Sequence, residues 1–301
     1  MKVLWSNPTR RLIDAALEED LGDVGDITSA LMADADGVVR ADLVARQDGV
    51  ICGLFLAEEV CAVFAAHLGR SLTFASANAG NREFLDGDAV GGEQVVGCVA
   101  GPRSAVLAVE RTLLNFLARM SGVATLTDRY VAVAKAANPT VHVLDTRKTI
   151  PGWRELDKYA VCAGGGYCHR MGLYDAILIK DNHLAGIPTD KLAEALERML
   201  ARRPAAARFV EVEVDRLEQL ERVLDVSGID IVLLDNFSIA DLTVAVEMRN
   251  ARGLREKVAL EASGGVTLET IGRIAAGGVE RISAGALTHS AATLDLALDF
   301  G

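Results

Sequence analysis

Short apolar runs alternate with helix-period stretches along the second half of the chain. The runs are VHVLDT (141–146), AILIKD (176–181), FVEVEV (209–214), DIVLLDN (230–236), KVALEAS (257–263) and RISAGA (281–286). Helical stretches over about 189–202, 216–226, 238–252 and 267–276 separate the later runs. Strands joined by helices require right-handed crossovers, which build a parallel sheet. Six such strands favour an open or partial (β/α) barrel over a doubly wound sheet. No GxGxxG fingerprint follows a first strand, which counts against a dinucleotide-binding domain.

The first 110 or so residues have a different rhythm. Residues 8–20 predict an amphipathic helix with Ile13, Ala16 and Leu17 on its apolar face. Short β-like runs follow at 38–46, 50–54, 71–75 and 95–99, with a helix near 57–67. That mix predicts an N-terminal α+β domain. Residues 104–120 predict a helix with Leu107, Leu114 and Leu117 on its stripe; Ser121-Gly122 ends it, and a second helix covers 126–137.

Composition narrows the class. The 301 residues are 50% apolar and 24% charged, enough for two domains or one barrel with an appendage, and too apolar for disorder. Cys52, Cys61, Cys98, Cys162 and Cys168 are scattered, with no CxxC pair. This argues against a disulfide framework or a zinc site and for free thiols in a reducing compartment. The N-terminus turns acidic and amphipathic too early for a signal peptide, and no run approaches the ~20 apolar residues of a membrane span. A cytoplasmic protein is expected.

The formal net charge is -11, yet residues 145–183 gather Arg147, Lys148, Arg154, Lys158, His169, Arg170 and Lys180 around the triplet Gly164, Gly165 and Gly166. A positive cluster on an acidic protein grips a small anion, because a nucleic acid is repelled by the remaining surface. A substrate rich in carboxylate or phosphate follows.

In an α/β barrel the chemistry lies at the C-terminal strand ends. Here those ends carry Asp145, Arg147 and Lys148; Lys180, Asp181, Asn182 and His183; Asp235 and Asn236; Ser263 after Glu261; and Ser283, Gly285 and Ala286. Strict alternation in the third run puts Glu211, Glu213 and Asp215 on one face and valines on the other. A wet edge strand would explain that. A position in mid-series instead turns the carboxylates inward, where they need cations or a metal. Glu213 is expected to face Lys148 and Lys180. SGG (263–265) and SAGA (283–286) are either phosphate grips or ordinary tight turns. Lys180, if desolvated, could alternatively form a Schiff base in the manner of a barrel aldolase.

Together, EEDLGDVGDITS (18–29), ERTLLNFLARMSGVAT (110–125), DTRKTIPGWR (145–154), KYAVCAGGGYCHRMGLYDAILIKDNH (158–183), VEVEVD (210–215), LLDNFS (233–238), EASGGV (261–266) and ISAGALTHS (282–290) closely resemble the quinolinate phosphoribosyltransferase family. The resemblance implies an α/β sandwich over residues 1–117, with about 290–301 packing back on it, and an open α/β barrel over 118–289. It implies Mg2+, a homodimer and the conversion of quinolinate and phosphoribosyl pyrophosphate to nicotinate mononucleotide, pyrophosphate and CO2, a step of de novo NAD synthesis. No nucleic-acid or membrane partner is expected. The family's quinolinate-binding positions fall on Arg147, His169, Arg170 and Lys180, with Lys148 bridging the two substrates. Arg111 matches an arginine supplied by the neighbouring subunit. Glu213 and Asp235 match carboxylates near the ribose hydroxyls and the metal. Ser263, Gly264, Gly265, Gly285 and His289 match the 5′-phosphate grip. Cys168 stands where the family often has Asn. The rival readings are a related phosphoribosyltransferase with another acceptor, the Lys180 aldolase, and a sensor that binds without turnover.

Overall fold

In the computed structural model, residues 6–301 are described. In chain order they form α1 (Asn7–Leu21), β1 (Val38–Ala45), α2 (Leu54–Leu68), β2 (Thr73–Ser76), β3 (Gln94–Pro102), α3 (Arg103–Ala137), β4 (His142–Leu144), α4 (Arg154–Ala163), β5 (Ile177–Ile179), α5 (Leu192–Leu200), β6 (Val210–Val214), α6 (Leu217–Val223), β7 (Ile231–Asp235), α7 (Ile239–Ala251), β8 (Ala259–Ser263), α8 (Ile271–Ala276), β9 (Arg281–Ser283) and β10 (Leu296–Phe300), with shorter turns and strands between. The fold divides into two compact units. The first holds residues 6–128, Thr149–Gly165 and Ser290–Gly301; the second holds Arg129–Lys148 and Gly166–His289.

The first unit is built on an antiparallel sheet in the order β10-β1-β3-β2. Helix α1 buries Ile13 and Leu17, as its apolar spacing requires. Burying two such side chains contributes about 2 kcal/mol each. Two details depart from the sequence expectation. The run 50–54 is strand only at Gly49–Val50; Gly53, at φ 106°, turns the chain into α2. Residues 103–137 form a single helix with no break at Ser121-Gly122. That pair is a contact point rather than a terminator. Ser121 Oγ accepts the Cys52 N–H at 2.9 Å and donates to the Cys52 carbonyl at 3.1 Å. The Ala292 backbone lies where a Cβ on Gly122 would stand, so only glycine allows the approach.

Helix α4 had no separate signal in the sequence, because its cations read as part of the charged cluster. Arg154 and Lys158 lie on it and so belong to the first unit, with Lys158 buried. Arg119 holds Asp157 at 3.0 Å, and the Tyr159 hydroxyl donates to Asp86 at 2.8 Å.

The second unit contains the six expected strands, all parallel, in the order β4-β9-β8-β7-β6-β5. The first two strands in sequence, β4 and β5, lie at opposite edges, so the barrel is open between them. Helices α5 to α8 pack side by side in series. Val143, Val212, Val232, Leu234, Leu260 and Ile282 are fully or almost fully buried, as strands covered on both faces require. Strand β6 pairs with β5 on one side and β7 on the other, which rules out the edge-strand reading of VEVEV.

Candidate active site

The site residues on the second unit fall into three groups, each set by strand order. The first forms around the end of β4. After α4 the chain returns to β4: Tyr167 N–H donates to the Val143 carbonyl at 2.8 Å, and Asp145 N–H to the Tyr167 carbonyl at 3.1 Å. This brings His169 and Arg170 beside Asp145 and Arg147. The Asp145 carboxylate accepts the His169 backbone N–H at 2.8 Å. Arg170 is buried, and one of its terminal nitrogens donates to the Ala176 carbonyl at 3.3 Å. Burial, and then the charge of Arg147, push the Arg170 pKa down. The Nε atoms of Arg147 and Arg170 are both buried without a hydrogen-bond partner among the described residues. Two neighbouring guanidiniums with donors to spare are a strong call for an anion.

His169 is not the loop residue that its neighbours in sequence suggest. Its side chain is 7% exposed, with Nε2 at 2.9 Å from Glu211 Oε2 and 3.4 Å from Glu261 Oε1. Arg281 Nε pairs with the other Glu261 oxygen at 2.7 Å. Burial opposes protonation of His169, but the two carboxylates outweigh it and raise its pKa to about 9. Glu211 is also raised, by burial and by the charge of Glu261. Both shifts mean that the cluster retains a proton at neutral pH. The Arg170 N–H meets His169 Nδ1 at 2.8 Å, which requires a lone pair there; the imidazole then carries its own proton on Nε2, and the further proton that the cluster retains rests with Glu211. Two carboxylates, one guanidinium and that proton make the layer electrically neutral, which is what allows it to be buried. His169, Glu211 and Glu261 present ligand atoms within 4.8 Å of one another, a spacing that a metal could use. Arg281 already supplies the neutralising cation, so an ion-pair layer is the simpler reading.

The second group lies at the ends of β5, β6 and β7. Lys180 Nζ is 2.5 Å from Glu213 Oε2. Its backbone N–H donates to His183 Nδ1 at 2.9 Å, which caps the short helical turn Asp181–Leu184. Glu213 and Asp235 line a cavity of about 490 Å³ together with Asp181, Asp215 and Asn236. Asn236 has φ 56° and donates its N–H to the Ser263 carbonyl at 2.9 Å. Gly264, at φ 93°, fits against Asn236 where a Cβ would collide. The Gly-rich end of β8 is therefore shaped by close packing as well as by its exposed amides. Gly265 beside it is also left-handed, at φ 57°, and faces open space.

The third group joins the ends of β4 and β9. The Thr288 hydroxyl donates to the Lys148 carbonyl at 2.8 Å, and the Lys148 and His289 side chains flank Gly285. Lys148 thus lies along Gly285 and His289, not against Glu213 as expected; Glu213 is met by Lys180 alone of the two. Lys180 is an ion-paired, 44%-exposed ammonium, so the Schiff-base reading loses the desolvated lysine that it needs.

Arg111 belongs to the first unit. It is an exposed residue of α3 beside a groove lined by Glu19, Asp20, Thr112, Phe116 and Trp153. The residues that sequence reasoning missed are Glu211, Glu261, Arg281 and Asp145 as partners of His169. The available signal was a glutamate inside each of two strands that must be covered on both faces, Glu211 in VEVEV and Glu261 in ALEAS.

An open parallel barrel that carries guanidiniums with unpartnered Nε donors, a lysine–glutamate pair and Gly-rich turns at its strand ends defines an α/β enzyme for small anionic substrates. Comparison with known proteins narrows this. The family profile "Quinolinate phosphoribosyl transferase, N-terminal domain" matches residues 26–121, and the profile for the C-terminal domain matches residues 123–299. The chain belongs to the quinolinate phosphoribosyl transferase family. It is 40% identical over 291 residues to a nicotinate-nucleotide pyrophosphorylase [carboxylating] of Mycobacterium leprae, with 96% of each chain covered. The solved nicotinate-nucleotide pyrophosphorylase of Francisella tularensis is 35% identical, with a TM-score of 0.83 over 100% of this chain and 98% of that one. NadC from Streptococcus pyogenes is 33% identical, with a TM-score of 0.86 over 99% and 98%.

Proposed function

We propose that this protein is a decarboxylating quinolinate phosphoribosyltransferase. It joins quinolinate to phosphoribosyl pyrophosphate and releases nicotinate mononucleotide, pyrophosphate and CO2, a step of de novo NAD synthesis. The observation that carries the acceptor is the pair of buried, unpartnered Nε donors on Arg147 and Arg170. Quinolinate offers two adjacent carboxylates, and guanidinium forks bind carboxylates bidentately. Lys180 adds a point charge at the next strand end, and Lys148 lies between the acceptor and the sugar donor.

Ser263, Gly264, Gly265, Gly285 and His289 take the 5′-phosphate. The left-handed backbone of Gly264 and Gly265 supports that assignment. Glu213 and Asp235 line the acidic cavity, and their hard oxygen donors suit Mg2+ and the ribose hydroxyls. Bound there, Mg2+ supplies charge neutralisation for the departing pyrophosphate. As the C1–O bond breaks, the ribose ring gains positive charge, which Glu213 and Asp235 stabilise. The pyridine nitrogen attacks C1. The resulting pyridinium withdraws electrons from C2, whose carboxylate leaves as CO2; C2 keeps the electron pair and takes up a proton from water.

The active form in this reading is a homodimer in which Arg111 enters the neighbouring subunit's site; its exposure on α3 supports this. None of the five cysteines is in a disulfide, in keeping with a cytoplasmic enzyme, and among the described residues no helix is long and apolar enough to cross a membrane. The test is an assay with quinolinate, phosphoribosyl pyrophosphate and Mg2+ that follows mononucleotide and CO2. Turnover with quinolinate and none with nicotinate is expected. No product from folded protein would overturn the reading and direct the search to other pyridine and purine acids.

A further inference from the structure

The barrel interior contains a charged layer that the reaction itself does not use. Glu211 on β6 and Glu261 on β8 are both fully buried, with β7 between them. Their carboxylates converge on one atom, His169 Nε2, at 2.9 and 3.4 Å. Arg281 anchors the far oxygen of Glu261 at 2.7 Å. On its other side the imidazole meets the Arg170 backbone N–H at 2.8 Å, and the Asp145 carboxylate holds the His169 N–H at 2.8 Å. Nδ1 therefore accepts one hydrogen bond and Nε2 faces two carboxylates at ion-pair distance, which together restrict rotation of the ring. A buried carboxylate is costly to retain, and two valine-like residues would fill the same strand positions without that cost.

We propose that Glu211 and Glu261 are positioning residues for the acceptor pocket: they clamp the His169 ring, and the ring in turn fixes the backbone of Arg170 so that its guanidinium faces the acceptor's carboxylates. The inference rests on the quinolinate reading above. It concerns geometry at the acceptor only, so it separates acceptor binding from sugar-donor binding, whereas a loss of fold would damage both.

Steady-state kinetics of Glu211→Leu and Glu211→Gln test it. Leucine removes the carboxylate that faces Nε2, and glutamine keeps an oxygen there. Glu211→Leu is expected to raise the quinolinate KM about tenfold or more and to leave the phosphoribosyl pyrophosphate KM within about twofold; Glu211→Gln restores most of the quinolinate affinity. A wild-type quinolinate KM in folded Glu211→Leu overturns the proposal. So does an equal rise in both KM values, or a glutamine variant as impaired as the leucine one. If Glu211→Leu does not fold, Glu211→Asp withdraws the carboxylate by one methylene and carries the same expectation.

A second readout needs no substrate. In protein labelled with 15N-histidine, the His169 ring signals, assigned by their loss in His169→Gln, are expected to show a protonated Nε2 and to change in the Glu211 variants. An unchanged His169 spectrum in those variants overturns the inference whether or not the wild type turns over quinolinate. Failure of the wild type on quinolinate, with the spectral change present, defeats only the functional reading.

Discussion

Raising the pH through the His169 transition should cost the protein a defined amount of stability. In the folded state the His169 transition, shared with Glu211 and Glu261, rises from 6.5 to about 9, the two carboxylates overcoming the penalty of burial. Because the folded value lies above the unfolded one, the stabilisation is fully present below pH 6.5 and is lost as pH rises through 9. The interval between the two values, at about 1.4 kcal/mol per unit, corresponds to about 3 kcal/mol. The side chain is 7% exposed, so solvent screening removes little of this. The assay is urea unfolding of the wild type and His169→Gln at pH 6 and pH 10, at one protein concentration so that any association contributes equally. Other groups titrate in that range, but they are common to both proteins. The wild-type advantage over the variant should therefore shrink by about 3 kcal/mol between the two pH values. Parallel pH dependences would show that the buried layer does not hold the proton, and the charge balance described above would be wrong.

Two further outcomes follow from other sites. Arg147→Ala and Arg170→Ala should each raise the quinolinate KM by at least tenfold, about 1.4 kcal/mol or more, with the fold intact by circular dichroism; near-wild-type kinetics in both would remove the acceptor assignment. Away from the site, Arg249 is almost fully buried and pairs with Glu280 at 2.7 Å while donating to the Val258 carbonyl at 2.7 Å. Glu280→Ala leaves that cation without its partner. Glu280 is 38% exposed, so a cost below the ~3–5 kcal/mol of a fully buried broken pair, about 2 kcal/mol, is expected in chemical unfolding with little change in KM.

Much of the barrel could be read in the sequence because strand and helix periods are local. A run such as DIVLLDN can be buried on both faces only inside a parallel sheet, and each of the six runs became a strand. The identity of the strand-end residues is equally local, which is why Arg147, Lys180, Glu213 and Asp235 could be named from their runs alone. The helix break expected at Ser121-Gly122 failed for a non-local reason. Nothing near that pair in sequence indicates that Cys52 would use the serine and Ala292 would pass over the glycine.

What the sequence by itself determined is most of the elements, the parallel sense of the later strands and the chemistry available at their ends. All of this depends on residues within a turn or two of one another. Only the tertiary structure decided how those groups are partnered. Lys148 left Glu213 to Lys180 because β4 pairs with β9, which draws Lys148 to Gly285 and His289. His169 became a buried, doubly engaged imidazole because Asp145, Glu211 and Glu261, which span more than a hundred positions of sequence, close around it. Partnership between charges depends on distance and burial, and neither is fixed until the barrel is assembled.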